Sequence, residues 1–333
     1  GGALLPLRLL SLALGALLLL VVCWTVRELV PNQPGLALGA TAFVAFLPMH
    51  VAMTAAASND TLAELIMAII LLLSVRYLKR PTSPEAEAEE ARFLVLLGVA
   101  TGLGLVTKSS VYVAVPLVLF AIGVRYFWLN PAPLSARRAL KALTLYLLPA
   151  VGMALPFWLR NMALYGGTDF LGLERHDQVV VGQLRTAEYL AQHGVAPLMR
   201  DFLTTSFRSF WGQFGWMGVL LDARLYQVSA ILSALVLAGF GIWAAGVWRR
   251  RTQFEPWQWA SGGLLALSAL LSLAGYLWYN TQFLQHQARY LFPALVPIGL
   301  AVALGWRQAL HRERALAMVV LLVGGIAILA LAG

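Results

Sequence analysis

The chain has 333 residues, 60% of them hydrophobic and 12% charged, with a mean hydropathy of +0.77 and a formal net charge of +9. A soluble domain carries roughly a quarter charged residues and about half apolar ones, which excludes a water-soluble enzyme along with disordered and collagen-like chains. The length is better accounted for by about ten membrane spans of ~20 residues, and the positive excess by membrane sidedness rather than nucleic acid.

Taken in order, apolar segments ended by charge or by Pro/Gly predict spans over Ala3–Val26, Gly35–Ala55, Thr61–Leu78, Phe93–Thr107, Val111–Trp128, Ala142–Trp158, Val228–Trp248, Trp257–Tyr279, Leu291–Trp306 and Ala315–Ala332. The first follows Gly1-Gly2 almost at once, without the basic leader and short apolar core of a signal peptide. Cys23, the single cysteine, lies within it, so neither an intramolecular disulfide nor a cysteine metal site can form. The fold class predicted is an all-α polytopic bundle. Residues 1–158 supply six spans, 159–227 a long extracytoplasmic loop with short interfacial helices, and 228–333 four more spans. The acidic run Glu85–Glu90, flanked by Pro81 and Pro84, reads as a solvated linker. No pair of interrupted helices recurs in the two halves, as an inverted-repeat transporter would show.

Alternating spans sort the loops into two sets. One holds 15 basic residues, from Arg27 through Arg76, Arg125, Lys141 and Arg249 to Arg314; the other holds Arg8, Lys108 and Arg289 in short loops, plus six arginines in the long loop. The richer set is assigned to the cytoplasm. The first helix then runs from outside to inside, which predicts one further span upstream of Gly1.

Four polar clusters fall on the outer face. Ser58-Asn59-Asp60-Thr61 with Glu64 is either a helix cap or a carboxylate site for a metal, a sugar or a proton. An ionisable residue such as Glu64 within a span generally faces a cavity. Thr107-Lys108-Ser109-Ser110 is either an interfacial lysine or a cation set beside hydroxyls for a phosphate. Arg160 and Asn161, just beyond a span and before Tyr165-Gly166-Gly167, are belt neighbours or lipid-phosphate contacts. The loop beyond them carries His176-Asp177, Arg208 and Trp211, and reads as helices lying on the bilayer with aromatics down. Gln285-His286-Gln287-Ala288-Arg289-Tyr290 enters a helix, either as an Arg-Tyr anchor or as an anion site.

These motifs follow a familiar order. Arg8-Leu9-Leu10-Ser11, Asn59-Asp60, Thr107-Lys108, Leu159-Arg160-Asn161, Phe214-Gly215-Trp216 and Gln287-Ala288-Arg289-Tyr290-Leu291-Phe292-Pro293 resemble the membrane-embedded GT-C glycosyltransferases. The likeness is to the protein O-mannosyltransferase-like and bacterial aminoarabinose-transferase-like groups, and covers nearly the whole chain. It implies a polyprenyl-phosphate-linked sugar as donor and a lipid, glycan or protein as acceptor. It further implies transfer outside a bacterial inner membrane, in contact with membrane lipids and without nucleic acid. Such enzymes carry a principal carboxylate in the loop after their first span, and this sequence begins at what resembles the second. Carried over by motif, Asp60 stands near the donor phosphate or a divalent cation (Mg or Mn), with no cofactor certain. Lys108, Arg160 and Arg289 would contact phosphate, with Asn59 and Asn161 beside them, and Tyr290 would line the donor groove. Ser109-Ser110 depart from the Gly-Pro often found after the lysine. Asp60 and Glu64 are the catalytic candidates, and His176, Asp177, Arg208, Trp211 and His286 the acceptor-side ones.

The chemistry fits. Fixed cations stabilise a departing phosphate, a carboxylate takes the acceptor's proton, and direct displacement inverts the sugar. A lipid transporter would need polar groups at mid-bilayer on several helices. A non-catalytic subunit of the same fold would lack the first-loop carboxylate.

Overall fold

A computed structural model of the protein describes residues 4–81, 87–129, 136–310 and 324–325. Apart from residues 324–325, the predicted span Ala315–Ala332 and the loop arginines Arg312 and Arg314 lie outside the described residues. Among the described residues eight helices are long and apolar enough to cross a membrane, or nine if a bent pair counts as one, so this is an integral, all-α bundle.

In chain order, α1 (Leu4–Leu29) is followed by α2 (Pro34–Phe46) and α3 (Pro48–Ala55), then by α4 (Asp60–Lys79) and α5 (Glu87–Thr107). A 3-10 turn, Ser109–Val113, leads into α6 (Ala114–Val124), which ends in a widened turn, Arg125–Leu129. α7 (Ala136–Tyr165) precedes three shorter helices, α8 (Leu173–Val179), α9 (Thr186–His193) and α10 (Val195–Trp211). A two-residue hairpin, β1 (Gln213–Phe214) and β2 (Val219–Leu220), leads to α11 (Ala223–Arg249) and α12 (Pro256–Gln282). A second 3-10 turn, Ala288–Ala294, opens α13 (Leu295–Leu310). α4 is the most deeply buried span, packed against α1, α5, α6, α12 and the second 3-10 turn.

Three expectations need correction. The segment Gly35–Ala55 is not one straight span: it bends by 62° between α2 and α3. Pro48 lacks the N–H that would reach the Val44 carbonyl, and it pushes Leu47 into extended backbone (ψ 112°). The span predicted to end at Trp158 continues through Pro149 and Pro156 to Tyr165, so Arg160 and Asn161 are helical; left-handed Gly166 and Gly167 stop it. In the loop beyond, Trp211 packs edge-on against Phe43 and Phe210 against Phe292. The aromatics of α10 thus cover the end of the bundle instead of lying in lipid.

At the opposite end, the described part of the acidic run is no linker. Glu87 and Glu90 sit in the first turn of α5, where Glu87 pairs with Lys141 and Glu90 with Arg125, and Glu89 pairs with Arg80. Arg125 is 2% exposed; it donates to the carbonyls of Tyr77 (2.7 Å) and Arg80 (3.0 Å) and to the Glu90 carboxylate (3.1 Å). It thereby satisfies the C-terminal carbonyls of α4, which have no partner within their own helix.

Two outcomes follow. Arg125→Leu leaves those carbonyls unsatisfied and Glu90 without its cation, and lowers stability by about 3 kcal/mol. Lys141→Ala, which breaks a solvated pair, leaves the apparent unfolding temperature in detergent nearly unchanged. Gly305 on α13 meets the Val236 carbonyl of α11, and Gly239 meets that of Gly305, so Gly305→Leu forces the helices apart and costs about 1–3 kcal/mol. Gly262→Leu, with nothing nearby, does not lower the unfolding temperature.

Candidate functional site

The start of α4 is the meeting point of four segments: α3, the 3-10 turn after α5, the 3-10 turn before α13, and α4 itself. α4 contributes two acidic side chains and each of the others, or its cap, a basic one. Asp60 is the first residue of α4 and Glu64 lies one turn on, so both point to the same side. Lys108 is the residue between α5 and its following 3-10 turn. Arg289 is held in the second 3-10 turn, so what that segment presents is a guanidinium rather than the helix N-terminus, which comes later at Leu295. His50 lies in α3.

Asp60, Glu64, Lys108, Ser110, Arg289 and Tyr290 line one cavity of about 330 Å³, counted to its open mouth, with Met53 and Phe292 as apolar wall. The Lys108 ammonium contacts the Asp60 carboxylate, whose second oxygen is 4.0 Å from the Arg289 guanidinium. Arg289 donates from Nη1 to the Met53 sulfur at 3.5 Å, while its buried Nε has no hydrogen-bond partner. Beneath them Glu64 and His50, 6% and 3% exposed, meet at 3.1 Å. Burial, and then the neighbouring Arg289 cation, push the Lys108 ammonium down to about 8.

Five sequence candidates, Asp60, Glu64, Lys108, Arg289 and Tyr290, thus share one cavity. Asn59 stands at its rim as a brace, not a side-chain cap: it donates to the Thr107 carbonyl at 2.7 Å and ties the start of α4 to the end of α5. The others line other surfaces. Arg160 is exposed on α7 and donates to Asn161, which is buried and donates to the Phe170 carbonyl at 2.9 Å. His176 packs edge-on against Phe283, and Asp177 pairs with Arg185 at 2.5 Å. Arg208 lies over the Tyr226 ring, and Trp211 is buried against Phe43. His286 is buried with Nδ1 2.8 Å from the Asn280 amide oxygen; burial lowers its pKa, and Asp201 partly opposes that.

Sequence reasoning missed His50. The signal was available, because a histidine inside an apolar run directly after a proline is an ionisable group at membrane depth. For a divalent cation the residues fit poorly. Asp60 is engaged by Lys108 and Glu64 by His50, and among the described residues no group of three His, Cys, Asp or Glu side chains is placed to hold a metal.

Residues 3–165, just under half of the chain, match the family model of dolichyl-phosphate-mannose-protein mannosyltransferases. Among solved structures the chain is similar to the Archaeoglobus fulgidus oligosaccharyltransferase in complex with zinc and sulfate, at TM-score 0.56 and 18% identity over 97% of this chain and 40% of that one. It is also similar to the same enzyme tethered to an acceptor peptide containing the NVT sequon (TM-score 0.55, 17% identity, 97% and 43%). A third likeness is to AglB of that organism with an inhibitory peptide and a dolichol-phosphate (TM-score 0.53, 17% identity, 97% and 44%). At these identities the likeness shows a shared fold alone, and the chain spans about two fifths of the length of those structures. No curated protein sequence matches the chain significantly.

The pairing of a burial-weakened lysine with a permanently charged arginine has a titration signature. Affinity for a phosphate monoester falls as pH is raised through about 8 and the Lys108 ammonium is lost. In Lys108→Arg, which stays charged, equilibrium binding loses that alkaline fall.

Proposed function

Starting from a GT-C-type membrane fold whose first half matches a mannosyltransferase family, we propose that the protein is a glycosyltransferase. It moves a sugar from a polyprenyl-phosphate-linked donor to an acceptor at the extracytoplasmic face. One observation carries this reading: two cations, Lys108 and Arg289, converge on one carboxylate, and Arg289 keeps a buried N–H without a partner. A buried, unsatisfied donor beside a surplus positive charge is costly unless an anion completes it. A phosphodiester carries the one negative charge required.

In this reading Lys108 and Arg289 bind the donor phosphate and stabilise its charge as the bond to the sugar breaks. Asp60 fixes the spacing of the two cations, Ser110 offers a hydroxyl to the phosphate, and Tyr290 lies along the lipid. The acceptor attacks the sugar carbon directly, with inversion. The extracytoplasmic assignment is supported by the ion-paired basic residues gathered at the other end of the bundle, among them Arg76, Arg80, Arg125 and Lys141.

The test is transfer in proteoliposomes containing the full-length protein and a panel of prenyl-phosphate sugars. Turnover with one of them is expected, reduced about 10²–10³-fold in Arg289→Ala, with donor binding lost in the Lys108→Ala/Arg289→Ala double variant. Unchanged donor binding in the double variant sinks the assignment. Binding without turnover marks a non-catalytic subunit of the same fold.

A further inference from the structure

The contact between His50 and Glu64 constrains where a proton must be. Because Pro48 cannot donate to the Val44 carbonyl, His50 Nδ1 takes that place at 2.8 Å. A carbonyl oxygen has no hydrogen to give, so Nδ1 carries one. On the other side of the ring Nε2 lies 3.1 Å from Glu64 Oε2. That contact closes only if one proton sits between the two atoms, on nitrogen or on oxygen; a bare imidazole nitrogen facing a bare carboxylate would repel. The pair therefore holds one proton in either form, and the proton belongs to both residues. Its neighbours leave one way out. Phe292 covers the ring edge-on, and Thr54 Oγ1 stands at 3.5 Å from Nε2. Glu64 itself lines the cavity with Asp60, Lys108, Arg289 and Tyr290.

Charge balance gives that proton a use. Two cations against Asp60 leave one surplus positive charge, because the loaded His50–Glu64 pair is neutral as a unit. A phosphodiester balances the surplus; the phosphate monoester left after transfer carries a second negative charge, which exceeds it.

We propose that His50 and Glu64 form a proton-holding dyad in which Glu64 gives its proton to the departing phosphate monoester and His50 positions Glu64 and shares that proton between turnovers. This rests on the glycosyltransferase reading above. The sugar C1–O bond breaks, its electron pair stays on the phosphate oxygen, and that phosphate takes the dyad's proton. The acceptor hydroxyl gives its proton to water as its oxygen bonds to C1, and water entering the cavity returns one to Glu64, so the reaction balances as acceptor plus phosphodiester to glycoside plus monoprotonated phosphate. Glu64 is a catalytic residue here and His50 a positioning residue.

The test compares binding of a short-chain prenyl phosphate with binding of its methyl diester to the full-length protein in detergent near neutral pH. In Glu64→Gln, whose amide still donates to Nε2 but has no proton to transfer, the monoester is expected to bind about tenfold more weakly, with the diester unchanged. His50→Asn, a second variant should Glu64→Gln fail to fold, is expected to lose the same discrimination. In the transfer assay Glu64→Gln lowers kcat about 10²-fold and leaves KM for the donor unchanged. Equal effects on both esters, or none on either, overturn the dyad. If the wild-type protein binds neither ester, the phosphate site itself falls, and with it the reading on which the dyad rests.

Discussion

α4 lies in the middle of an apolar bundle, and a helix so placed cannot leave its terminal amides and carbonyls to water. Both of its ends are polar junctions. At one, the buried Arg125 gathers the carbonyls of Tyr77 and Arg80 and binds Glu90. At the other, Asn59 reaches to Thr107 and Asp60 to Lys108, joining α4 to the end of α5. The cavity is the second of these junctions, left one bond short at Arg289. The same helix thus carries a structural lock at one end and a charged cluster at the other.

Much of this was legible in the sequence, and what was not has definite causes. Hydropathy located the spans because it measures compatibility with lipid, but it is blind to the direction of the chain within a span. The bend at Leu47–Pro48 therefore went unread, and so did His50, which the bend turns toward Glu64. Asp60, Lys108 and Arg289 stood out because charges flanking short connections between spans are few. Arg160 and Asn161 stood out for the same reason, yet α7 continues through two prolines and carries them elsewhere. Glu90 looked like part of a solvated stretch because its partner, the buried Arg125, is far away in the chain.

The loop between α7 and α11 is fastened to the end of α12 by backbone and side-chain bonds: Leu284 N–H to the Leu184 carbonyl at 3.0 Å and Thr186 to the Asn280 carbonyl at 2.8 Å. His176, Asp177 and His286, acceptor-side candidates in the sequence, belong to this fastening or lie beside it. Its role is to hold the 3-10 turn bearing Arg289 against α4, for Ser209 accepts from the Ala288 N–H at 2.9 Å, one residue before that arginine.

The Asp60–Lys108 contact has a direction. Asp60 begins α4, where the aligned peptide dipoles present a partial positive charge, and Lys108 follows the end of α5, where they present a partial negative one. Each ion rests in a backbone field of the opposite sign before it meets the other. Exchanging the two residues would keep their mutual attraction and set both against their helices. The cluster is therefore wired into the polarity of the chain as well as its side chains, and a sequence that inverted the pair would need to reverse two helices to recover it.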